Sequence, residues 1–355
     1  MKVMISALAI GLSVALAAGA QAEDLKPVKL AMGISTVNIG YPNATLPLTL
    51  GYWKEEGLDV ELLTTGGTLQ GIQQLVGGGA QFAEGNVAGF LQGIAQNDLP
   101  LRVLVTHGVV DWKFVVPVDS AIHDAKTLEG KRLGMVSLAS GGLPLLKSYL
   151  SANGVAPDSV EVIPVGFGAA PVEALRKGEV DALLYWASAV AAFENAGLKM
   201  KTFAPEEWPR QPDYVLATTE DMAKKDPEMV IGMSRGMMKA VLFTVTNPEC
   251  ALKLHWDKYP DTRSQGADEA EAKARDLNIL KAKIESYEAA AKLSETEGKA
   301  DQPYWDGLLS YMVEAGLIPA KIPTGDFLVA IPDFFKKVND YDHAAVVAQA
   351  KACAF

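Results

Sequence analysis

The stretch GYWKEEGLDVELLTTGG, residues 51–67, carries the clearest structural signal in the chain. Gly57 ends a predicted helix at the C′ position, where the backbone adopts the left-handed conformation that glycine favours. LDVELL is typical of a strand, and the strand opens into a loop of two threonines and two glycines followed by Thr68. Such a loop either places a catalytic group, cradles a phosphate or holds a small molecule.

The same alternation extends to both sides of this stretch. VKLAMGI, AQFAEG and LRVLVTHGV are predicted strands, and ATLPLTLGYWKEE, LQGIQQLVGG and NVAGFLQGIAQ are predicted helices. Strands separated by helices of this length indicate a mostly parallel sheet flanked by helices. The sequence therefore predicts an α/β unit.

A second unit of similar design follows. RLGMVS, VEVIPV and VDALLYW are predicted strands, and GLPLLKSYLSAN, AAPVEALRKG and ASAVAAFENAG are predicted helices. Extended segments, VVDWKFVVPVDSAI and PDYVLATTED, stand on either side of this unit. The chain is then predicted to be almost wholly helical from about Asp221, with the charged, alanine-rich residues 266–298 as exposed surface helices.

The N-terminus resembles a secretory signal peptide. A short basic start precedes an apolar stretch at residues 3–19, and Ala20-Gln21-Ala22 is a small-x-small cleavage site. We expect residues 1–22 to be removed after Ala22 and the protein to reach a bacterial periplasm; a membrane anchor is the alternative. No later segment is expected to cross a bilayer.

Charge and cysteine content exclude some classes of function. The 32 basic and 43 acidic residues give a formal net charge of −11, whereas nucleic-acid binding requires a basic surface. Cys250 and Cys353 have no metal-site spacing. They either pair in an oxidising compartment or remain as one buried thiol and one thiol near the C-terminus.

Two α/β units joined by two extended segments suggest a hinged clamshell whose cleft lies beyond the carboxyl ends of the strands. The loops there combine small residues, hydroxyls, amides and helix N-termini, which suit close approach and partial or full negative charge. Any one of these loops alone is equally an ordinary turn. The predicted ligand-binding residues are Ser35, Asn38, Tyr41, Gly67, Thr68, Glu84, Gly85, Asn86, His107, Trp112, Ser137, Ser140, Gly141, Gly142, Phe167, Tyr185 and Trp186.

Several of these residues have an alternative structural role. The aromatic residues either wall an apolar or planar ligand or pack in the core, and Trp112 is the strongest candidate because it lies in a polar crossing. Glu84 either accepts hydrogen bonds from a ligand amino group or is an acid at a helix N-terminus. No lysine or arginine lies in the strand-end loops, so an anionic ligand would rely on helix N-termini and hydroxyls.

Catalytic signatures are missing from the sequence. HExxH, a P-loop and CxxC do not occur. The histidines are scattered, without metal-ligand spacing, and His107 has no partner nucleophile. We therefore expect a binding protein rather than an enzyme, with no cofactor and no metal.

Four segments together resemble a known family. They are LGYWKEEGLDVEL with its GGT, LVGGGAQFAEGN, KTLEGKRLGMVSLASG and EALRKGEVDALLYW. They are similar to periplasmic substrate-binding proteins of ABC transporters, in the group for nitrate, sulfonate, taurine and thiamine-pyrimidine precursors. Gln81 departs from the pattern, which often has Asp before Phe.

The resemblance implies the two-lobed periplasmic-binding-protein fold of type II, with a helical C-terminal region. Lobe I would comprise residues 23–112 and 215–355 and lobe II residues 116–213, with 113–115 and 214 near the hinge crossings. The protein would be a monomer that delivers a small organic solute (sulfonate, carboxylate or aminopyrimidine-like) to an inner-membrane ABC permease with its ATPase. The alternatives are a ligand-sensing subunit of a membrane receptor and, less favoured, a thiamine-pyrimidine synthase, whose clustered-cysteine motif this chain lacks.

Overall fold

A computed structural model describes residues 25–266, 268–353 and 355. The predicted signal peptide and its cleavage site lie outside the described residues. The α/β class is confirmed: within the described ranges, ten strands form two five-stranded sheets with helices around them. The strands are β1 (Lys26–Met32), β2 (Leu58–Thr64), β3 (Phe82–Gly85), β4 (Leu101–Val109), β5 (Trp112–Pro117), β6 (Arg132–Met135), β7 (Glu161–Pro164), β8 (Ala182–Trp186), β9 (Met200–Phe203) and β10 (Pro212–Thr219).

The helices flank the sheets and make up the C-terminal region. They are α1 (Pro42–Thr49), α2 (Tyr52–Glu55), α3 (Thr68–Val76), α4 (Val87–Asn97), α5 (Gly142–Ala152), α6 (Ala169–Arg176), α7 (Ala187–Asn195), α8 (Glu220–Lys225), α9 (Pro227–Thr246), α10 (Pro248–Lys258), α11 (Glu269–Ala290), α12 (Gln302–Glu314), α13 (Thr324–Phe327), α14 (Phe334–Val338) and α15 (His343–Ala352). Short 3₁₀ turns occur at Lys126–Leu128, Pro157–Ser159, Trp208–Arg210 and Pro260–Thr262.

The two sheets share one plan. The first has the order β2-β1-β3-β10-β4, and the second has the order β7-β6-β8-β5-β9. In each sheet three neighbouring strands are parallel, β1 with β2 and β3 and β6 with β7 and β8. One strand of each sheet, β10 and β5, runs antiparallel to both of its neighbours. Parallel strands place their carboxyl ends, and the loops that follow them, at one edge of the sheet.

The chain passes between the sheets twice, between β4 and β5 and between β9 and β10. The two passages run side by side, because Val110 N donates to Gln211 O at 3.1 Å. The predicted extended segments become β5 and β10. The sequence gives no sign of β9, an edge strand without buried residues or apolar alternation.

The opening stretch folds as predicted except for one break. The helix expected over residues 44–56 is divided into α1 and α2 at Gly51, which has φ +76 and interrupts the helical backbone. Gly57, with φ +74, adopts the expected left-handed conformation. Trp53 anchors α2 because its ring is buried and its Nε1 donates to Met233 O at 3.0 Å.

One C-terminal helix contradicts the expectation that no later segment is apolar enough to cross a bilayer. Among the described helices, α9 is long and apolar enough to cross a bilayer, judged by length and composition alone. However, 67% of its apolar window is buried inside the fold, where Val230, Met233 and Met237 pack with residues of β1 and β2. We conclude that α9 is a core helix.

The charged helix α11 also corrects an expectation. Residues 266–298 were expected to be exposed, but one face of α11 buries Asp276, Lys283, Ser286 and Tyr287. This helix also reaches the second sheet's helices, since Asn195 Nδ2 donates to Arg275 O at 2.8 Å. This charged helix therefore buries one face and leaves the other exposed.

The two cysteines are paired. A disulfide joins Cys250 in α10 to Cys353 at the end of α15, which are 103 residues apart. Of the two alternatives left open by the sequence, the structure selects the disulfide.

Candidate functional site

A small cavity lies where the strand-end loops of the two sheets meet. We call it the inter-sheet cavity, and about 20 Å³ of it is open to the centre of a water molecule. The first sheet and its loops supply Gly33, Ile34, Tyr41, Thr68, Glu84, Gly85, Asn86 and Tyr214; the second supplies Trp112, Val136, Ser140, Gly141 and Trp186. Space of this size holds about one water molecule.

Several helices begin at this cavity. Tyr41, Asn86, Gly141 and Trp186 are the N-cap residues of α1, α4, α5 and α7, and Thr68 is the first residue of α3. The N-cap residues of α3 and α5 are glycines, and the N-cap side chains of α1, α4 and α7 make no capping hydrogen bond. The dipoles of these helices favour negative charge at this position.

Glycines allow the loops of the two sheets to touch. Gly67 has φ +152, and a Cβ there would lie 2.6 Å from Ala139 O. A Cβ on Gly141 would lie 2.3 Å from Asn86 Oδ1. Hydrogen bonds also join the two sets of loops: Ser137 Oγ donates to Gly66 O at 2.6 Å, and Leu69 N donates to Ala139 O at 3.2 Å. We call this line of contact the seam.

Two polar atoms of the cavity's buried lining have no partner among the described residues. They are Glu84 Oε2, an acceptor, and Trp112 Nε1, a donor. Buried polar atoms are nearly always paired in native proteins. An unpaired donor and an unpaired acceptor in one cavity therefore indicate that the cavity binds a polar molecule.

Glu84 is held by its other oxygen. Glu84 Oε1 accepts from Asn43 Nδ2 at 2.9 Å, and Asn43 Oδ1 in turn accepts from Tyr287 Oη at 2.9 Å. Burial raises the pKa of Glu84, against the opposing effects of the Lys283 charge and the Asn43 hydrogen bond. The carboxyl group is therefore fixed in place while Oε2 stays free to accept a hydrogen bond.

Asn86 is positioned by a residue that the sequence analysis missed. Asp213 Oδ2 accepts from Asn86 Nδ2 at 2.6 Å, and Asp213 Oδ1 accepts from Val87 N at 2.8 Å. Burial raises the pKa of Asp213 to about 7. Thr68 Oγ1 also accepts from Asn86 N at 3.1 Å, so β10, α3 and α4 are tied together at the cavity.

A buried lysine lies behind the cavity. Lys283 Nζ is 3.9 Å from the ring centroid of Tyr214 and 5.0 Å from that of Tyr287. Burial lowers its pKa, and the charges of Asp111, Glu84 and Asp213 oppose this shift. No sequence signal distinguishes Lys283 from the other charged residues of α11, because its burial depends on how that helix packs.

Tyr214 is the most unusual cavity residue. Its φ of +48 is rare for a bulky side chain, and it stands beside a register shift in β10 between Val215 and Ala217. Its hydroxyl donates to Asp111 Oδ1 at 2.8 Å. Gly33, Ile34 and Val136 are the other lining residues that the sequence analysis missed, because they carry no polar side chain.

The structure brings together many of the predicted site residues. Those that line the inter-sheet cavity are Tyr41, Thr68, Glu84, Gly85, Asn86, Trp112, Ser140, Gly141 and Trp186. Three more lie at its edge without lining it: Gly67 and Ser137 form the seam described above, and Gly142 packs against the Trp112 ring.

The remaining predicted residues lie elsewhere. Ser35 is exposed, and Asn38 and Phe167 line a larger groove of about 430 Å³ on the far side of Trp186. Tyr185 is a core residue whose hydroxyl donates to Gly166 O. His107 lies behind Glu84, with Nε2 at 3.4 Å from Glu84 Oε1.

The aromatic residues form a partial wall. The Trp112 and Trp186 rings meet edge to face with centroids 5.5 Å apart, and Phe167 stacks on Trp186 at 5.8 Å.

Within the described residues no group of three or more His, Cys, Asp or Glu side chains is arranged to hold a metal ion.

Comparison with known proteins places these features in a family. The family model described as "NMT1/THI5 like" matches residues 46–251. The taurine-binding periplasmic protein of Escherichia coli K12 is 26% identical over 161 residues, which cover 45% of this chain and 49% of that protein. The match thus spans about half the length of this curated relative.

Solved structures agree in fold. A protein from Bordetella bronchiseptica RB50 superposes with a TM-score of 0.68 at 19% identity, covering 88% of this chain and 97% of that one. The alkanesulfonate-binding protein SsuA of Xanthomonas axonopodis pv. citri, bound to MOPS, gives 0.62 at 13% identity, with 86% and 96% covered. The architecture is therefore that of the periplasmic binding proteins, and the chain belongs to the NMT1/THI5-like family.

Proposed function

We propose that this protein is the periplasmic solute-binding component of an ABC-type importer and that its solute is a small organic acid held in the inter-sheet cavity. The observation that carries this proposal is the orphaned pair of Glu84 Oε2 and Trp112 Nε1 in a cavity surrounded by helix N-termini. The names of the similar proteins, taurine-binding and alkanesulfonate-binding, support the same class of solute.

The acidic group of the solute would lie at the helix N-termini. No lysine or arginine is among the residues that line the cavity. An anion there would be stabilised by the dipoles of α3, α4 and α5 together with the Ser140 hydroxyl. A sulfonate or carboxylate meets this requirement without a paired cation.

The opposite end of the solute would carry a hydrogen-bond donor. Glu84 Oε2 is an acceptor without a partner, and a carboxyl group so placed favours an ammonium or hydroxyl group on the ligand. Taurine has a sulfonate at one end and an ammonium at the other, so an aminosulfonate is the solute that this polarity fits best.

Binding would require the two sheets to move apart, so that the solute can enter, and then to move together around it. Each sheet with its helices would form one lobe, and the two passages at 110–111 and 204–211 would be the hinge. The cavity as it stands is too small for taurine. A solute would therefore enter an opened form, and the two sheets would close around it with the cavity wider than it stands here.

Delivery to a permease would follow from the same closure. We propose that the exported chain, after removal of residues 1–22, acts as a monomer in the periplasm and presents its closed form to an inner-membrane permease. ATP hydrolysis would then occur on a different protein.

Thermal unfolding against a panel of solutes tests this proposal. The panel contains taurine, ethanesulfonate, short carboxylates and an aminopyrimidine, and small-angle scattering follows the radius of gyration. A solute at one hundred times its Kd adds about 2.7 kcal/mol to the free energy of unfolding if it binds only the folded state. We expect a saturable rise in Tm with taurine and a smaller radius of gyration when it is bound.

A flat panel would contradict the proposal, provided that no compound is released from the purified protein on denaturation. A shift in Tm without any change in radius of gyration would retain the solute but reject closure as its consequence.

A further inference from the structure

A second pocket opens behind the inter-sheet cavity, on the side of the first sheet that faces α9 and α11. We call it the His107 pocket; its volume is about 150 Å³. The apolar wall consists of Met238, Val241, Leu242 and Val245 of α9 together with Ala290 of α11. Apolar cavities of this size accept a molecule as large as benzene.

His107 is the unexplained polar group of this pocket. It lines the pocket, its side chain is fully buried, and neither Nδ1 nor Nε2 has a hydrogen-bond partner among the described residues. Burial, with the nearby charge of Lys283, lowers its pKa well below 6.5, against the smaller opposing effect of the residue's own backbone. The ring is therefore neutral, with one nitrogen as donor and the other as acceptor.

Glu84 decides which nitrogen carries the proton. Nε2 lies 3.4 Å from Glu84 Oε1, which already acts as an acceptor toward Asn43 Nδ2. An Nε2–H faces that oxygen favourably, whereas an unprotonated Nε2 would place two lone pairs against each other. Nδ1 is then left as a buried acceptor, and its partner must be a donor.

The charge around the pocket selects the kind of donor. The buried Lys283 ammonium contacts the Tyr287 ring, which also lines the pocket, and a second cation at this depth would be repelled. Glu288 and Glu297 stand at the rim and would repel an anion. A neutral molecule that is mostly apolar and carries one hydroxyl group avoids both kinds of repulsion.

We propose that the His107 pocket is a second binding site, separate from the inter-sheet cavity, for a small neutral apolar molecule with one hydroxyl group that donates to His107 Nδ1. This site goes beyond the proposed transport function, and its test needs no transported solute.

Phenol and toluene are a matched pair of probes, because they share size and shape and differ in the hydroxyl. Met238 lines the pocket, so the chain is labelled with ¹³C at the methionine methyl groups, and Met238→Leu assigns the signal. We expect phenol to shift the Met238 methyl resonance saturably, with a Kd about tenfold lower than that of toluene, because only phenol pairs the buried nitrogen.

Two variants locate the effect. His107→Phe keeps an aromatic ring and removes both nitrogens, so phenol and toluene should bind with equal Kd. Val241→Phe fills the apolar wall and should abolish binding of both probes. If His107→Phe does not fold, ¹⁵N spectra of the wild-type imidazole give the answer, since bound phenol should leave a proton on Nε2 and none on Nδ1.

The proposal is overturned if the Met238 methyl does not respond to phenol or if wild-type protein binds both probes equally. It is also overturned if the preference for phenol persists in His107→Phe, or if the proton lies on Nδ1 when phenol is bound.

Discussion

At the scale of single residues, Glu84 is the side chain whose chemistry is most specific. One of its oxygens is fixed by Asn43 and the other is unpaired in the cavity. We expect Glu84→Gln to weaken taurine binding by tenfold or more, because the amide loses the charge-assisted hydrogen bond to an ammonium group. Isothermal titration calorimetry measures the change.

Ethanesulfonate, which has the sulfonate of taurine but no ammonium, is the control ligand for this substitution. Its Kd should change far less between wild type and Glu84→Gln. An equal loss of affinity for both ligands would show that Glu84 supports the fold of the site rather than the amine.

Trp112 contributes a single unpaired donor to the same cavity. Trp112→Phe keeps an aromatic ring but removes the N–H, so we expect the solute Kd to rise about tenfold. Tyr185→Phe is the matched control, because the Tyr185 hydroxyl pairs with Gly166 O and lies outside the cavity. Comparable losses in the two variants would contradict the assignment of Trp112 to the solute.

At the scale of elements, the loop between β2 and α3 determines how closely the two sheets approach. Gly67→Ala would place a methyl group 2.6 Å from Ala139 O on a residue whose φ is +152. Strain of this kind costs about 1–3 kcal/mol, and it acts on the closed arrangement. We expect the solute Kd to rise about tenfold or more.

Gly66→Ala is the control on the adjacent residue. The three atoms nearest to a Cβ there all belong to the Gln70 side chain, which can rotate away at the cost of its hydrogen bond from Gly66 N. Its solute Kd should therefore stay close to that of wild type. A loss of affinity as large as that in Gly67→Ala would contradict the idea that Gly67 is needed for the close approach of the two sheets.

The junction of β10 with α4 depends on pH through Asp213. Because burial raises its pKa to about 7, the folded chain holds a proton between about pH 4 and 7 that the unfolded chain has released. The contribution of Asp213 to the free energy of unfolding is therefore largest below pH 4 and declines as the pH rises to 7, by at most about 1.4 kcal/mol per pH unit.

Denaturant unfolding of wild type and Asp213→Asn at several pH values isolates this group. The difference between their free energies of unfolding should fall across that window and level off above it. A difference that grew with pH would mean that Asp213 is stabilised as a carboxylate.

At the scale of the whole molecule, the Cys250–Cys353 disulfide closes a loop of 103 residues that contains α11 to α15. Crosslinks over loops of this length stabilise a fold by about 2–4 kcal/mol. We expect reduction to lower the free energy of unfolding by that amount and to leave the solute Kd unchanged, since neither cysteine lines the cavity.

Denaturant unfolding with and without dithiothreitol checks this expectation, and the double variant Cys250→Ser, Cys353→Ser should be insensitive to the reductant. A reduced protein as stable as the oxidised one would contradict it.

Local patterns in the sequence were sufficient for most of the fold. The alternation of strands and helices, the left-handed Gly57 and the resemblance carried by four segments predicted two α/β units, because these features depend on neighbouring residues. The strand-end loops also yielded Thr68, Glu84 and Asn86, since the carboxyl ends of parallel strands meet at one edge.

What the sequence determined by itself is therefore the class of fold, the family and the edge of each sheet at which a ligand would lie. Only the tertiary structure decided that Lys283, Asp213 and Tyr214 lie beside the site, and that His107 faces a separate pocket. The physical reason is distance along the chain: burial and pairing of these groups depend on contacts between distant segments, such as those of Glu84 and Lys283, which no local pattern of residues encodes.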